Sequence, residues 1–430
     1  MHQCDAAPQG RQVEPPVGEP SAAVAIQNRS PLDEVLREGA RRMLLEAVEQ
    51  EVAAYIEQHQ NQRDENGHRL VVRNGQARER TVVTPVGPLK LRAPRVQDRR
   101  LDENGQRLRF RSQILPPYLR RAKSVEELIP WLYLKGISTG DFSDALKALL
   151  GPAAPGLSAT TVVRLKAVWQ DEYEAWSRRQ LSGQRFVYWW ADGIYSNVRL
   201  DDERQCLLVL VGALEDGRKQ LLAVWDGFRE SELSWRELLE DLKRRGLELP
   251  PKVAVGDGAL GFWAALGKVY PGSGEQRCWL HKMANVLDKL PRSMHGKGKQ
   301  ALQDIYLAPS RAQANQALDR FEKLYRAKFP RAVECLTKDR EQLLTFYEFP
   351  AEHWVHLRTT NPIESTFATV RLRQRRTKGC GSREASLTMV FMLARQAERH
   401  WRRLNGSEVI VHVLNGKKFQ DGILVQEHAA

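Results

Sequence analysis

Cysteine is scarce in this 430-residue chain: the five that occur (Cys4, Cys206, Cys278, Cys335, Cys380) are scattered and odd in number. That excludes a disulfide framework and makes a reducing cytoplasm the expected compartment. Long hydrophobic runs are missing too. The longest, from Cys206 to Leu214, falls far short of the roughly 20 residues that cross a bilayer. No basic segment followed by an apolar one stands near the start, so no secretory signal is expected. No internal repeat is visible. Acidic residues are in deficit, leaving a net charge of +13. With no amphipathic membrane segment beside that charge, the polyanion it fits is nucleic acid.

The positive charge is concentrated. Gln60 to Lys123 holds sixteen Lys/Arg against six Asp/Glu, a local net of +10. A second concentration follows Glu364: Arg371, Arg373, Arg375, Arg376 and Lys378 are five cations in eight positions. From Ser365 to Arg383 there is no acidic residue, so neighbours within that stretch do not neutralise them. Arg371 and Arg375 share a helix face, where they are placed to hold phosphates.

Composition and periodicity divide the chain. Residues 1–30, rich in Pro, Gly, Ala and Gln, read as a disordered leader. Residues 31–184 read as a mostly helical N-terminal DNA-binding region. Its first segment, Pro31 to Gln58, shows helical apolar spacing, and "RTVVTPVGPLKLRAPRV" reads as a small β-hairpin about Gly87-Pro88. Residues 138–176 read either as a helix-turn-helix or as an ordinary helical hairpin, with Arg164 and Lys166 the candidate DNA contacts. Over 185–270, "RFVYWWAD", "QCLLVLVGAL" and "KQLLAVWDG" read as an antiparallel meander. A helix then returns a fourth strand, in "KVAVGDGALGFWAAL", parallel to one already laid down. Residues 271–350 read as mostly helical, 351–405 as the part that holds a long basic helix running towards "LTMVFMLARQAERHWRRL", and 406–430 as a short β-like or mobile tail.

Two aspartates stand at apolar strand ends beside glycines: Asp192 before Gly193, and Asp257 between Gly256 and Gly258. Alone, each is as readily a turn or cap residue. As neighbours at matching strand ends, their like charges need a cation between them, and oxygen ligands of this kind suit magnesium. Glu364 is the candidate third carboxylate. Its setting, Asn361-Pro362-Ile363-Glu364, reads as a helix start with Asn361 as cap and Pro362 in the first position. Cys278 and His281 in "CWLH" have too few partners at metal spacing for a zinc site. A buried structural thiol and a satisfied histidine remain open as readings. Trp189, Trp190 and Trp279 read as core.

The stretches "YWWADGIYSNVRL", "VAVGDGALGFW", "RCWLHKMANVLDKLP" and "RTTNPIESTFATVRLRQRRTKGCGS" resemble the DDE transposases of the Mutator-type bacterial insertion-sequence family. Upstream, "RNGQARERTVVTPVGPLKLRAPR" and "KGISTGDFSDAL" extend the resemblance over residues 70 to 405. It implies an α/β protein: a ribonuclease H-like core, with a mixed sheet flanked by helices, interrupted by a mainly α-helical insertion. Asp192, Asp257 and Glu364 match the three catalytic carboxylates. They would hold two Mg²⁺ (or Mn²⁺) for hydrolytic 3′-end cleavage and strand transfer. Cys278 and His281 match a Cys-x-x-His signature expected to support the site without binding metal directly.

The implied partners are the element's terminal inverted repeats and target DNA, bound by a homodimer or higher assembly at the nucleoid. A transposase-derived DNA-binding protein without turnover, or another ribonuclease H-like nuclease such as a junction resolvase, are the rival readings.

Overall fold

The computed structural model describes residues 30–134, 137, 142–150, 159–198, 204–227, 229–258, 260–377 and 379–426. The chain divides into two compact units, residues 1–131 with 139–158 and residues 132–138 with 159–430.

In the first unit Ser30 starts α1 (Pro31–Gln58) by accepting the Leu32 N–H, and Pro31 takes the first helical position. Val48 and Val52 are buried, whereas Leu32, Val35, Leu36 and Met43 stay exposed. Four strands follow: β1 (Val71–Gln76), β2 (Arg80–Thr84), β3 (Gly87–Leu91) and β4 (Pro94–Asp98). β2 and β3 are the expected hairpin, turning at Pro85-Val86. The pair β1–β4 was not legible in the sequence, and it makes the region less uniformly helical than expected. Val48, Val82, Leu89, Leu91 and Leu115 form the unit's core. α2 (Lys123–Leu134) and α3 (Phe142–Leu150) come next. The expected helix pair over 138–176 corresponds to α3 and α4 (Ala159–Ser177), which belong to different units. Its connecting residues, 151–158, lie outside the described residues, as does the side chain of Lys166.

The second unit is built on β5 (Phe186–Ser196), β6 (Gln205–Leu214) and β7 (Lys219–Gly227), an antiparallel meander. α5 (Glu232–Arg244), capped by Ser231, carries the chain to β8 (Val253–Gly256), which lies parallel beside β5. α6 (Leu260–Val269) leads to β9 (Gly274–Arg277), parallel to β8. The result is a five-stranded mixed sheet in the order β7-β6-β5-β8-β9. Its central strands β5, β6 and β8 are buried along almost their whole length because helices cover both faces. The strand β9 is a correction, since residues 271–277 read as part of a helical segment.

Alternation along β5 sends Trp189 and Ala191 to one face, against Trp235, Leu238 and Leu239 of α5 and Phe262 and Leu266 of α6. Tyr188, Trp190 and Ile194 face the other way. By the same period Asp192 belongs with that second set. Trp189, Trp190 and Trp279 are buried in these cores, as the sequence indicates.

The second face is covered by α4, by the helices α7 (Trp279–Leu287), α8 (His295–Tyr306), α9 (Arg311–Tyr325), α10 (Pro330–Thr337) and α11 (Arg340–Leu344), then by α12 (Trp354–Leu357), α13 (Asn361–Thr377) and α14 (Arg383–Glu398). α15 (Ile410–Leu414) and a hairpin of β10 (Phe419–Gln420) and β11 (Ile423–Leu424) close the described chain. Ile363, Phe367 and Val370 are fully buried at helical spacing, so α13 is held against the sheet by a continuous apolar stripe. Burial of each is worth about 2 kcal/mol, enough to fix the helix and the charged side chains it carries. Among the described residues no helix is long and apolar enough to cross a membrane.

Candidate active site

The register of the sheet assembles one polar mouth. Ala191, Gly256 and Arg277 stand in a row as the last paired positions of β5 with β8 and of β8 with β9. The residues immediately beyond them are Asp192, Asp257 and Cys278. Asp192 does not end its strand, contrary to the sequence reading. β5 continues to Ser196 because its other edge remains paired with β6, Asp192 lying opposite Val209. What ends at Asp192 is the parallel ladder, and there the two aspartates come together.

Cys278 precedes α7 and places His281 in the first turn of that helix. Glu364 lies in the first turn of α13. Ligand atoms of Asp192, His281 and Glu364 all fall within 4.8 Å of one another. His281 Nε2 donates to Glu364 Oε1 at 3.0 Å, and Arg371 reaches Glu364 Oε2 at 3.2 Å. Asp257 lies outside this closest set; its backbone carbonyl accepts from Trp263 Nε1 and from the Arg277 guanidinium.

The start of α13 differs from its sequence reading. The N–H groups of Ile363 and Glu364 donate to the carbonyl of Thr360, so Thr360 is the cap and Asn361 is already helical and exposed. Thr360 fits this place because its own N–H donates to Cys278 Sγ at 3.3 Å, and its hydroxyl meets the same sulfur at 3.4 Å. Glu364 is therefore free of any capping role. Its carboxylate serves His281 and Arg371.

Burial pushes the Asp192 carboxyl up to about 8; His281 opposes the rise, and Glu364, Asp257 and Glu230 add to it by charge repulsion. One oxygen of Asp192 accepts from the Gly193 N–H, while the other is buried with no hydrogen-bond partner among the described residues. The Cys278 thiol and then Glu364 favour the imidazolium and push His281 up to about 11. Its Nδ1, buried near that thiol, makes no hydrogen bond among the described residues. Glu364 is held below the usual carboxylate range by His281 first, with Arg371 adding to the effect.

Glu230 is the residue the sequence reading missed. It precedes the cap of α5 in a polar link, "FRESELSW", with no motif to mark it. Burial pushes its carboxyl up to about 7, with Asp257 adding to the rise. The only legible signal is indirect, and it lies at Gly193. A Cβ placed there would stand 3.0 Å from the Glu230 carboxylate.

The arginines of α13 divide. Arg375 is exposed, and Arg371 is half-exposed beside Glu364. Arg373, three residues beyond Val370, continues the buried stripe and is 3% exposed. The side chains of Arg376 and Lys378 lie outside the described residues. Arg164 is exposed on α4.

Asp192, His281 and Glu364, at the mouth of the mixed sheet, form a cluster that could hold a metal ion, and one oxygen of Asp192 is buried there without a partner among the described residues. Residues 17–404 match the profile of the Mutator family of transposases, and the chain belongs to that family. It is 51% identical over 302 residues to the transposase for insertion sequence element IS6120 of Mycolicibacterium smegmatis, covering 70% of this chain and 93% of that one. It is 50% identical over 287 residues to the transposase for insertion sequence element IST2 of Acidithiobacillus ferrooxidans, covering 65% and 95%. The transposase for ISRM5 of Rhizobium meliloti matches at 30% over 372 residues, 86% and 89% of the two chains.

Proposed function

We propose that this protein is an insertion-sequence transposase of the DDE type, with a ribonuclease H-like core in its second unit. Asp192, Asp257 and Glu364 would hold divalent cations, Mg²⁺ or Mn²⁺. The observation that carries the reading is the buried, partnerless oxygen of Asp192 at the point where β5 and β8 part, in a carboxylate that has a ligand atom within 4.8 Å of one from Glu364. A donor set dominated by carboxylates fits these cations better than softer metals.

Bound there, a pair of such ions supplies activation of the attacking oxygen and charge stabilisation of the leaving one in an in-line displacement at phosphorus. The chain's own groups prepare that geometry. Asp192 and Asp257 are fixed by the sheet, and Glu364 by the apolar stripe of α13. His281 orients Glu364 through its Nε2–H, the role of an outer partner to a ligating carboxylate. Arg371 and Arg375 hold phosphates on the approach to the site.

In the first reaction water attacks the phosphodiester at the element's end, and the P–O3′ bond breaks to free a 3′-hydroxyl. In the second that hydroxyl attacks a target phosphodiester, whose own 3′-oxygen leaves. The basic first unit would bind the terminal repeats. A homodimer or larger assembly would bring the two ends together.

Cleavage of DNA carrying the element's terminal repeats tests this, with Mg²⁺ and then with EDTA. Nicked product is expected only from the wild type with metal. Equal product from the wild type and Asp257→Asn would overturn the reading.

A further inference from the structure

We propose that Glu230 is a fourth carboxylate of the metal centre, acting with Asp257 and Asp192 on a divalent, oxygen-preferring cation. This rests on the reading of the site given above and adds a ligand to it. The argument starts at Gly193, the residue after Asp192. A Cβ there would lie 3.0 Å from both Cδ and Oε2 of Glu230 and 3.2 Å from Oε1. The whole carboxylate thus lies close over Gly193, and any larger residue there would have to displace it.

The position follows from topology. Glu230 follows β7 closely and immediately precedes Ser231, the cap of α5. It reaches the mouth of the sheet from the side opposite to α13, which carries Glu364. Among the described residues Glu230 makes no salt bridge. The charges that act on it are Asp257, which disfavours its ionised form, and His281, which favours it. Asp192 in turn feels Glu364, Asp257 and Glu230.

Asp192, Glu230 and Glu364 are three carboxylates around one partly buried mouth, where the cations in contact with Glu364 are His281 and Arg371. Such a set is unfavourable unless a cation is shared among them. The independent sign that a ligand belongs there is the second oxygen of Asp192, a side chain 95% buried by its 5% exposure and still without a partner among the described residues. Asp192, His281 and Glu364 form the close set, and Glu230 brings a further carboxylate to the backbone next to Asp192.

The test uses the full chain and Mn²⁺ alone as probe, followed by calorimetric titration and by electron paramagnetic resonance of the free ion. Wild type, Glu230→Gln, Glu230→Asp and Asp192→Asn are compared, with melting temperatures taken in EDTA and in Mn²⁺. Glu230→Gln is expected to weaken Mn²⁺ binding about tenfold or more, to lose part of the Mn²⁺-induced rise in melting temperature, and to melt no lower than wild type in EDTA. Glu230→Asp keeps the charge but retracts it by one methylene, and is expected to weaken Mn²⁺ as well.

Wild-type Mn²⁺ affinity and stoichiometry in both Glu230 variants, with binding lost in Asp192→Asn, would overturn the assignment of Glu230 alone. A wild type that binds no Mn²⁺, or an Asp192→Asn variant that binds it as tightly, would overturn the underlying reading too. A lower melting temperature of Glu230→Gln in EDTA with Mn²⁺ binding intact would mark Glu230 as a structural residue, also against the proposal.

Discussion

The backbone N–H of Thr360 donates to the sulfur of Cys278, 82 positions earlier in the chain. That bond ties the cap of α13 to the residue that opens α7, and so fixes Glu364 relative to His281. Cys278→Ala leaves the Thr360 N–H unpaired in a buried place. We expect folded protein whose DNA cleavage and Mn²⁺ affinity each fall by about 10- to 100-fold, the range typical of groups that orient a metal ligand. Cys278→Ser keeps an acceptor and should recover part of both. Unchanged cleavage in the alanine variant would deny Cys278 this positioning role.

Glu364→Gln separates cap from site. The cap is Thr360, so the substitution should leave the melting temperature in EDTA within a few degrees of wild type. Cleavage should drop by about a hundredfold or more, since a ligand to the cations contributes several kcal/mol in the transition state. A large loss of stability with cleavage retained would contradict this.

The α13 arginines should respond in opposite ways. Arg375→Ala, at an exposed position, should reduce the slope of log affinity for DNA against log salt by about 1 and leave stability alone. Arg373→Ala, at a buried one, should lower the melting temperature before any DNA is added. Thermal melts and salt titrations of the two variants decide it.

Acid sensitivity is expected in the first unit at Asp98, whose carboxylate accepts from Tyr55 and is paired with Arg100. Burial alone would raise its pKa, but Arg100 and Tyr55 more than offset this and lower it to about 2. A carboxylate whose folded value lies below its unfolded 3.8 binds fewer protons when folded. The stabilisation is therefore complete above about pH 4 and is lost as pH falls through about 2. It amounts to about 2 kcal/mol. Amide exchange in β1 and β4 should accelerate over that window in wild type, and Asp98→Asn should flatten the dependence.

Gly379 carries φ +96°, and a Cβ there would stand 2.5 Å from the carbonyl oxygen of Asn197. Next to it the Cys380 N–H donates to that same oxygen, joining the end of α13 to the end of β5. Gly379→Ala should cost about 1–3 kcal/mol through backbone strain and the forced separation. Chemical denaturation would read this as a lower midpoint.

Much of the second unit is written in local pattern. The largely apolar runs at 186–191, 205–214 and 219–225, parted by turn-rich links, read as strands. The amphipathic segment after them reads as a crossover that returns the fourth strand parallel to an earlier one; that this one is β5 is decided by the tertiary pairing. Glu364 was legible from Asn361-Pro362 and the basic run behind it, although the cap proved to be one residue earlier. The exposed apolar half of α1 and the inward turn of Arg373 were not legible. Periodicity tells which residues share a face but not what covers it.

By itself the sequence determined the strand-strand-strand-helix-strand-helix order from β5 to α6, the two aspartates and the glutamate as candidates, and the basic character of the chain, because these follow from residue type and spacing. The tertiary structure decided three things. The pairing register of β5, β8 and β9 sets Asp192, Asp257 and Cys278 in one row. The sulfur of Cys278 holds the start of α13 by accepting the Thr360 N–H. Glu230 comes to rest against Gly193 from a link that shows no pattern. Each depends on contacts between residues dozens of positions apart, which strand pairing and core packing settle and local propensity does not.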